Sequence, residues 1–139
     1  MISYGRQYID NKDINGVLKV LKSNFLTQGP TQKIFEKKIS KYLNTKYVSA
    51  VSSGTAALHL VSKALKWGKG DTVVSSPITF VAGIAMAINC GAKPDFVDID
   101  SNTFNIDTNK LESKLKKKKI KAVIITDFAG QPADWDDLY

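Results

Sequence analysis

Cysteine is nearly absent from the 139 residues of the sequence, and Cys90 is the only one. An internal disulfide framework is therefore excluded, and the composition fits a protein of the reducing cytoplasm. Histidine is equally scarce, with His59 alone, and no cluster of cysteine and histidine residues predicts a metal site. No apolar run is long enough to cross a bilayer, and the N-terminus lacks the basic and apolar blocks of a secretory signal. We therefore expect neither a bound metal nor a membrane partner.

Acidic residues are fewer than basic ones, 13 against 20, which gives a net charge of +7. The densest lysine run, KLKKKKIK at residues 114–121, contains neither arginine nor an aromatic residue. Surfaces that bind nucleic acid usually combine these with lysine. We interpret the run as a solvated turn between a helix and a strand and expect no nucleic-acid partner. A basic, nucleic-acid-associated α/β domain is the less favoured alternative.

The hydrophobic pattern changes after residue 45. Before it, two amphipathic helices are predicted, and the second should bury Ile34, Phe35, Ile39, Tyr42 and Leu43. After it, short apolar runs alternate with helical patterns. The predicted strands are 47–51, 71–76, 94–99 and 121–127, and the predicted helices are 55–67, 79–91 and 108–117. This alternation is typical of an α/β protein with a parallel sheet, whose ligands bind beyond the carboxyl ends of the strands.

The last residues, PADWDDLY, have the pattern of a capped first helical turn, with Asp134 or Asp136 near its start. The sequence ends at Tyr139 before such a helix could bury an apolar face. We therefore expect the chain to be the front part of a longer protein.

The stretch SSGT at residues 52–55 joins a predicted strand to a predicted helix. Backbone N–H groups in the first turn of a helix have no partner within the helix and carry partial positive charge. Gly54 permits a sharp turn and leaves room for an anion, while Ser52, Ser53 and Thr55 offer hydroxyl donors. The pattern predicts a phosphate cradle. The alternative is an N-cap that satisfies its own helix and binds nothing.

The stretch SSPITF at residues 75–80 ends the next predicted strand. It brings an aromatic ring to the carboxyl edge of the sheet, where the SSGT turn is also expected. A flat ring there suits stacking on a flat ligand, which leaves the polar groups of the ligand free. The alternative is that Phe80 caps the core.

Four stretches together carry a resemblance to a known family. FLTQGP, SSGTAALHL, SPITFVAGIAMAINCGAKPDFVDID and FAGQPAD resemble, in order and spacing, the DegT/StrS group of sugar-nucleotide aminotransferases, which depend on pyridoxal 5'-phosphate (PLP). The resemblance extends over essentially all 139 residues. It implies the aspartate-aminotransferase fold, a three-layer αβα architecture with a mostly parallel sheet. Residues 1–45 are then a helical lead-in, and residues 46–139 are the first part of the PLP-binding large domain.

The resemblance also implies roles for individual residues. The turn matching SGTA holds the PLP phosphate through Gly54, Thr55 and Ala56, with Ser53 beside them, and Phe80 stacks on the pyridine ring. Thr27 and Gly29, in the loop matching LTQGP, are candidates for substrate contact. The resemblance places the stretch Asp127–Gly130 close to the cofactor and makes Gln131 a further candidate for substrate contact.

Within the group, SPITF and VIITDFAG are most similar to transaminases that form UDP-4-amino-4,6-dideoxy-N-acetyl-altrosamine in pseudaminic acid synthesis. These enzymes aminate the C4 ketone of a nucleotide-linked keto-deoxy sugar. The resemblance implies glutamate as the amino donor and a homodimer, because the sites of this group form at a subunit interface.

Two catalytic groups of the family have no counterpart in these residues. The reaction needs a lysine that holds PLP as a Schiff base and a carboxylate against the pyridine nitrogen. The family has both after the segment seen here, so we assign no catalytic residue and expect the 139-residue chain alone to be inactive. His59 has no carboxylate or cysteine at a partner spacing. Asp98 and Asp100 could form an acid pair, but we expect them to orient the exit from the strand into the loop. A binding module for phosphate or a sugar nucleotide, without enzymatic activity, is the alternative function.

Overall fold

The computed structural model describes residues 5–139. The chain divides into two compact units, Met1–Ala50 and Val51–Tyr139. The predicted division at residue 45 stays a prediction. The first unit contains helices α1 (Asn11–Leu21) and α2 (Pro30–Tyr42). The second contains, in chain order, α3 (Gly54–Ala64), β1 (Thr72–Ser75), α4 (Ala82–Asn89), β2 (Lys93–Phe96), α5 (Thr108–Lys117), β3 (Ala122–Ile124), a 3₁₀ turn (Phe128–Gly130) and α6 (Trp135–Leu138).

The first unit forms the two helices that were predicted but does not bury their apolar faces. Asp10 caps α1 in a capping box with Asp13, and Pro30 opens α2 at a position where its missing N–H is not needed. No residue of 5–50 is fully buried. The predicted burial on α2 is therefore wrong: Ile39 is half-buried, and the other four side chains, Ile34, Phe35, Tyr42 and Leu43, are exposed. Two helices alone offer each other too little apolar surface to cover both faces.

The second unit is built on a parallel sheet of order β2-β1-β3. The central strand β1 is covered on both faces, since Val73 and Val74 point to opposite faces and both are 0% exposed. Val73 packs in a cluster with Trp67 and with Ala87 of α4. Val74 packs on the other face in a cluster with Leu111 of α5. Helices therefore lie on both sides of the sheet, and the αβα layering predicted from the sequence is confirmed.

The predicted strand at residues 47–51 does not form. A strand exists only where a neighbour completes its ladder of backbone hydrogen bonds, and no described residue pairs with this segment in that way. Its Ala50 N–H instead donates to the carboxylate of Glu36, at 2.9 Å. The strand prediction for this segment is therefore wrong: its residues are exposed or half-buried, and none pairs with a strand among residues 5–139.

The lysine run 114–121 is only partly the solvated turn that was predicted. Its first residues form the last turn of α5, and Lys114 and Lys118 bind the carboxylate of Asp95 in β2, at 2.7 and 3.0 Å. These ion pairs hold the pKa of Asp95 well below its ordinary value, with the Lys114 hydrogen bond as the largest cause. Part of the positive charge therefore fixes the edge strand to the helix.

Candidate functional site

The carboxyl ends of β1 and β3 meet at one edge of the sheet, because the strands are parallel neighbours. The chain passes from β1 to β2 on one side and then returns to place β3 on the other side of β1. In sheets of this kind a ligand crevice opens where the strand order changes direction, outside the carboxyl ends. The carboxyl ends of β1 and β3, with the residues that follow them, are therefore the candidate site, here called the switch edge.

Two side-chain hydrogen bonds join β1 and β3 at the switch edge. The buried hydroxyl of Ser75 donates to the carbonyl oxygen of Ile124, at 3.1 Å. Further out, the hydroxyls of Thr79 and Thr126 lie 2.7 Å apart, and either can be the donor. The first bond joins β1 to β3, and the second joins the loop after β1 to the residues after β3.

The N-terminus of α3 is capped, yet it keeps free donors. The Ser53 hydroxyl accepts a hydrogen bond from the Ala56 N–H, at 3.1 Å, so this donor is already used. The N–H groups of Gly54 and Thr55 have no acceptor among the described residues. The Ser53 hydroxyl also keeps its own proton for an outside acceptor. An N-cap and an anion cradle are thus compatible at this turn.

Gly54 is not needed for a sharp turn, and that expectation is wrong. It is the first residue of α3 and does not adopt a positive φ. A Cβ added to it would meet nothing within 4 Å. The space beside Gly54 is therefore open, which is compatible with a phosphate that approaches the free N–H groups at the start of α3.

The start of α3 lies at the switch edge. Helix α4 follows β1, so it begins at the carboxyl edge of the sheet and ends at the opposite edge. The segment after α3 meets the segment after α4, since a Cβ on Gly91 would lie 3.6 Å from the backbone nitrogen of Lys69. The two helices pack side by side. They therefore run in the same direction, and both begin at the switch edge.

Phe80 does not cap the core, so the alternative for this residue is wrong. Its side chain is 76% exposed, just before the first turn of α4. An exposed aromatic face and the free N–H groups of α3 thus occur at the same edge of the sheet. These features fit a flat, phosphorylated ligand such as PLP.

A buried asparagine that the sequence did not single out organises the loop after β3. Asn105 is 4% exposed and donates to the carbonyl oxygens of Gln131 and Pro132, at 3.1 and 3.0 Å. Its side-chain oxygen accepts from the Phe128 N–H, at 2.9 Å. A polar residue between Phe104 and Ile106 is the sequence signal for such a buried hydrogen-bonding role. The contact holds Gln131 through its backbone and leaves that residue exposed.

Thr27 and Gly29 belong to the first unit, where both precede α2. Thr27 is exposed, and Gly29 is the N-cap residue. A Cβ on Gly29 would lie 2.8 Å from Cβ of Phe25, so close packing explains the glycine at this position.

No candidate for covalent chemistry lies in the segments that form the switch edge. Across residues 52–56, 76–80 and 126–131 the one titratable side chain is Asp127, and its carboxylate accepts a hydrogen bond from the Ala133 N–H, at 2.9 Å. Asp98 and Asp100 accept backbone hydrogen bonds from Ile99 and from Asn102, respectively, which lower the pKa of each. Both therefore act as turn-forming acceptors that stay ionised at neutral pH.

Residues 5–139 contain no cluster of three or more histidine, cysteine or acidic side chains that could hold a metal ion. In the same residues, no helix has the length and apolar character needed to cross a membrane.

Comparison with known proteins decides the family. The model of the DegT/DnrJ/EryC1/StrS aminotransferase family matches residues 7–139. The chain belongs to this family. The resemblance stated from the motifs is thereby confirmed, and aminotransferases of this family depend on PLP.

Two curated relatives illustrate the match. The spore coat polysaccharide biosynthesis protein SpsC of Bacillus subtilis is 41% identical over 137 residues, which covers 99% of this chain and 35% of SpsC. A UDP-4-amino-4,6-dideoxy-N-acetyl-beta-L-altrosamine transaminase of Campylobacter jejuni is 39% identical over 140 residues, covering 99% and 37%. The chain spans about a third of the length of these relatives.

Solved structures agree with the αβα fold. The PLP form of Spr1654 from Streptococcus pneumoniae, described as a sugar aminotransferase, gives a TM-score of 0.88 at 32% identity, covering 99% of this chain and 35% of that one. PseC of Helicobacter pylori, an aminotransferase of pseudaminic acid biosynthesis, gives a TM-score of 0.88 at 31% identity, covering 97% and 36%.

Proposed function

We propose that this chain forms the cofactor-cradling part of a PLP-dependent sugar aminotransferase. The observation that carries the proposal is the pairing, at one edge of the sheet, of the free N–H groups of α3 with the exposed ring of Phe80. The first feature suits a phosphate and the second suits a flat ring. When bound, PLP supplies the electron sink that allows an amino group to move from a donor to a keto sugar.

Each residue of the cradle has a distinct part in this proposal. Gly54 and Thr55 donate their backbone N–H groups to the phosphate, and the hydroxyls of Ser53 and Thr55 add donors beside them. Ala56 contributes less, because its N–H already donates to Ser53. The partial positive charge at the start of α3 favours the anion as well. Phe80 holds the pyridine ring on one face and shields it from water.

The covalent step requires groups that this chain does not offer at the switch edge. We propose that the lysine that binds PLP and the carboxylate that faces the pyridine nitrogen lie outside residues 1–139. Support comes from the absence of any lysine in the segments of the switch edge. The 139-residue chain alone is then expected to lack transaminase activity.

The substrate of the proposed enzyme is a nucleotide-linked keto-deoxy sugar, aminated at C4, as in the altrosamine transaminases that the chain resembles. Thr27, Gly29 and Gln131 are the proposed substrate-side residues, with glutamate as the donor and a homodimer as the assembly. The hydrogen bond from Asn105 supports a role for Gln131, because it fixes the backbone position of Gln131. A cytoplasmic location, expected from the single cysteine, stays a prediction.

A non-enzymatic module that binds phosphate or a sugar nucleotide is the second candidate. The observation in its favour is that α3 has an anion cradle while no lysine lies at the switch edge. Reading the source gene past the codon for Tyr139 separates the two functions. A reading frame that continues and encodes an acidic strand end and a lysine flanked by serines supports the aminotransferase function. A stop codon at that point would overturn it in favour of the binding module.

A further inference from the structure

We propose that the hydroxyl pair of Thr79 and Thr126 is a positioning device that sets Phe80 at the angle needed for stacking on the cofactor. This inference rests on the proposed function, because it assumes that Phe80 meets the PLP ring. It adds residues that make no contact with the cofactor in that proposal and act through the aromatic side chain.

The ring of Phe80 is not held by packing of its own. The side chain is 76% exposed, and no other aromatic ring of the described residues stacks on it. A free ring on a mobile loop would lose rotational and backbone entropy when it stacks on a ligand. The position of Phe80 must therefore be set through its backbone.

The backbone is fixed on both sides of Phe80, and in each case the anchor is β3 or the residues directly after it. On the N-terminal side, the hydroxyls of Thr79 and Thr126 lie 2.7 Å apart across 47 residues of sequence. On the C-terminal side, α4 approaches β3 so closely that a Cβ on Gly83 would lie 3.2 Å from Cδ1 of Ile124. Phe80 thus lies between one contact to β3 and one contact to the residues directly after β3.

The loop before Thr79 is also restrained, by local hydrogen bonds and by a proline. The Ser76 hydroxyl accepts from the Ile78 N–H, at 3.1 Å, and donates to the Ile78 carbonyl oxygen, at 3.2 Å. Pro77 limits the backbone further, because its ring fixes φ. With this turn already rigid, the Thr79–Thr126 bond is the polar link that ties the loop of Phe80 to the segment after β3.

The chemistry of the pair allows a clean test. Thr79→Val and Thr126→Val each remove one hydroxyl and keep the branched shape of the side chain. Because the bond needs both hydroxyls, either single variant abolishes it, and the double variant should add nothing more. Thr79→Ser and Thr126→Ser keep the hydroxyl and should restore the wild-type behaviour.

The experiment uses the full-length protein and two readouts other than activity: the dissociation constant for PLP and the visible circular dichroism of the bound cofactor. Thr79→Val and Thr126→Val are expected to weaken PLP binding by about two- to tenfold and to alter the dichroism, as for loss of one hydrogen bond. Thr108→Val is the matched control, since its hydroxyl bonds to Asp137 on α6, at 3.3 Å, and to no residue of 52–56, 76–80 or 126–131. It should leave both readouts unchanged.

Phe80→Leu distinguishes failure of this inference from failure of the proposed function. If Phe80→Leu leaves PLP affinity and dichroism unchanged, the stacking role in the proposed function is wrong. If Phe80→Leu weakens binding while both valine variants behave as Thr108→Val does, only the positioning role is wrong. Strictly additive effects of the two valine variants would also contradict the hydrogen bond between Thr79 and Thr126. If either valine variant folds poorly, the serine variants still test the role of the hydroxyls.

Discussion

The side-chain oxygen of Asn105 accepts a hydrogen bond from the backbone N–H of Phe128, at 2.9 Å, and so ties the turn before α5 to the loop after β3. The same side chain donates to two carbonyl oxygens further along that loop. One buried amide thereby satisfies three backbone groups of a segment that has no regular partner.

Replacing Asn105 with alanine should loosen this loop. The Phe128 N–H would lose its acceptor, so its hydrogen exchange is expected to become about 10- to 100-fold faster. Exchange followed by mass spectrometry on the peptide that covers residues 126–133 measures the change. Asn109→Ala is the control, because that asparagine is exposed on α5. Equal protection in the two variants would show that Asn105 does not hold the loop.

Replacing Gly54 with valine should weaken the binding of PLP to the full-length protein. The new side chain would occupy the open space beside Gly54, next to the residues proposed to bind the phosphate, and loss of one charge-assisted hydrogen bond costs about tenfold in affinity. Gly16→Val is a matched control, since Gly16 also lies in a helix with nothing within 4 Å of an added Cβ. Fluorescence titration with PLP gives both dissociation constants. An unchanged affinity in Gly54→Val would mean that the phosphate binds elsewhere.

The two serines before α3 should differ in importance. Ser53 caps the helix through the Ala56 N–H, whereas Ser52 is exposed and has no side-chain hydrogen bond among the described residues. We expect Ser53→Ala to weaken PLP binding by about fivefold, through loss of the cap and of one hydroxyl donor. Ser52→Ala should have a smaller effect in the same titration. The reverse order would place the cradle one residue earlier.

The ion pairs of Asp95 should make stability depend on pH. Lys114 and Lys118 lower the pKa of Asp95 below its ordinary value of 3.8, so the ionised form stabilises the fold above about pH 4. This contribution declines as the pH falls towards the pKa of the folded state. Asp95→Asn should therefore lower the melting temperature at pH 7, and the deficit should shrink below pH 4.

Thermal melts of the full-length protein at several pH values measure this dependence. Glu112→Gln serves for comparison, because it removes an exposed ion pair with Lys116 and should change the melting temperature less. A deficit in Asp95→Asn that stays constant between pH 7 and pH 2 would contradict the account.

Local signals predicted the helices well. The helix predicted at 108–117 forms over the same residues, because Asp107 caps it through the Lys110 N–H and the apolar period places Leu111 in the core. The apolar run at residues 71–76 likewise predicted β1, because a strand that is covered on both faces consists mostly of apolar residues. Motif order, rather than any single residue, predicted the family.

Long-range features could not be predicted in the same way. The segment 47–51 has the pattern of a strand, yet pairing depends on a neighbour that the pattern does not name. Exposure of Phe35 on α2 depends on which surfaces surround the helix, and the role of Asn105 depends on a loop 23 residues later in the sequence. Each of these three features depends on two segments that are distant in the sequence. The hydrophobic pattern describes only one segment at a time.

The central claim is that residues of this chain cradle PLP while the lysine that binds it lies elsewhere in a longer protein. The most direct test is to load the product of the complete gene with PLP, reduce it with borohydride and map the modified peptide. We expect a single PLP-modified lysine outside residues 1–139, with less modification in Gly54→Val at limiting PLP. A modified lysine within residues 1–139, or no uptake of PLP, would contradict it.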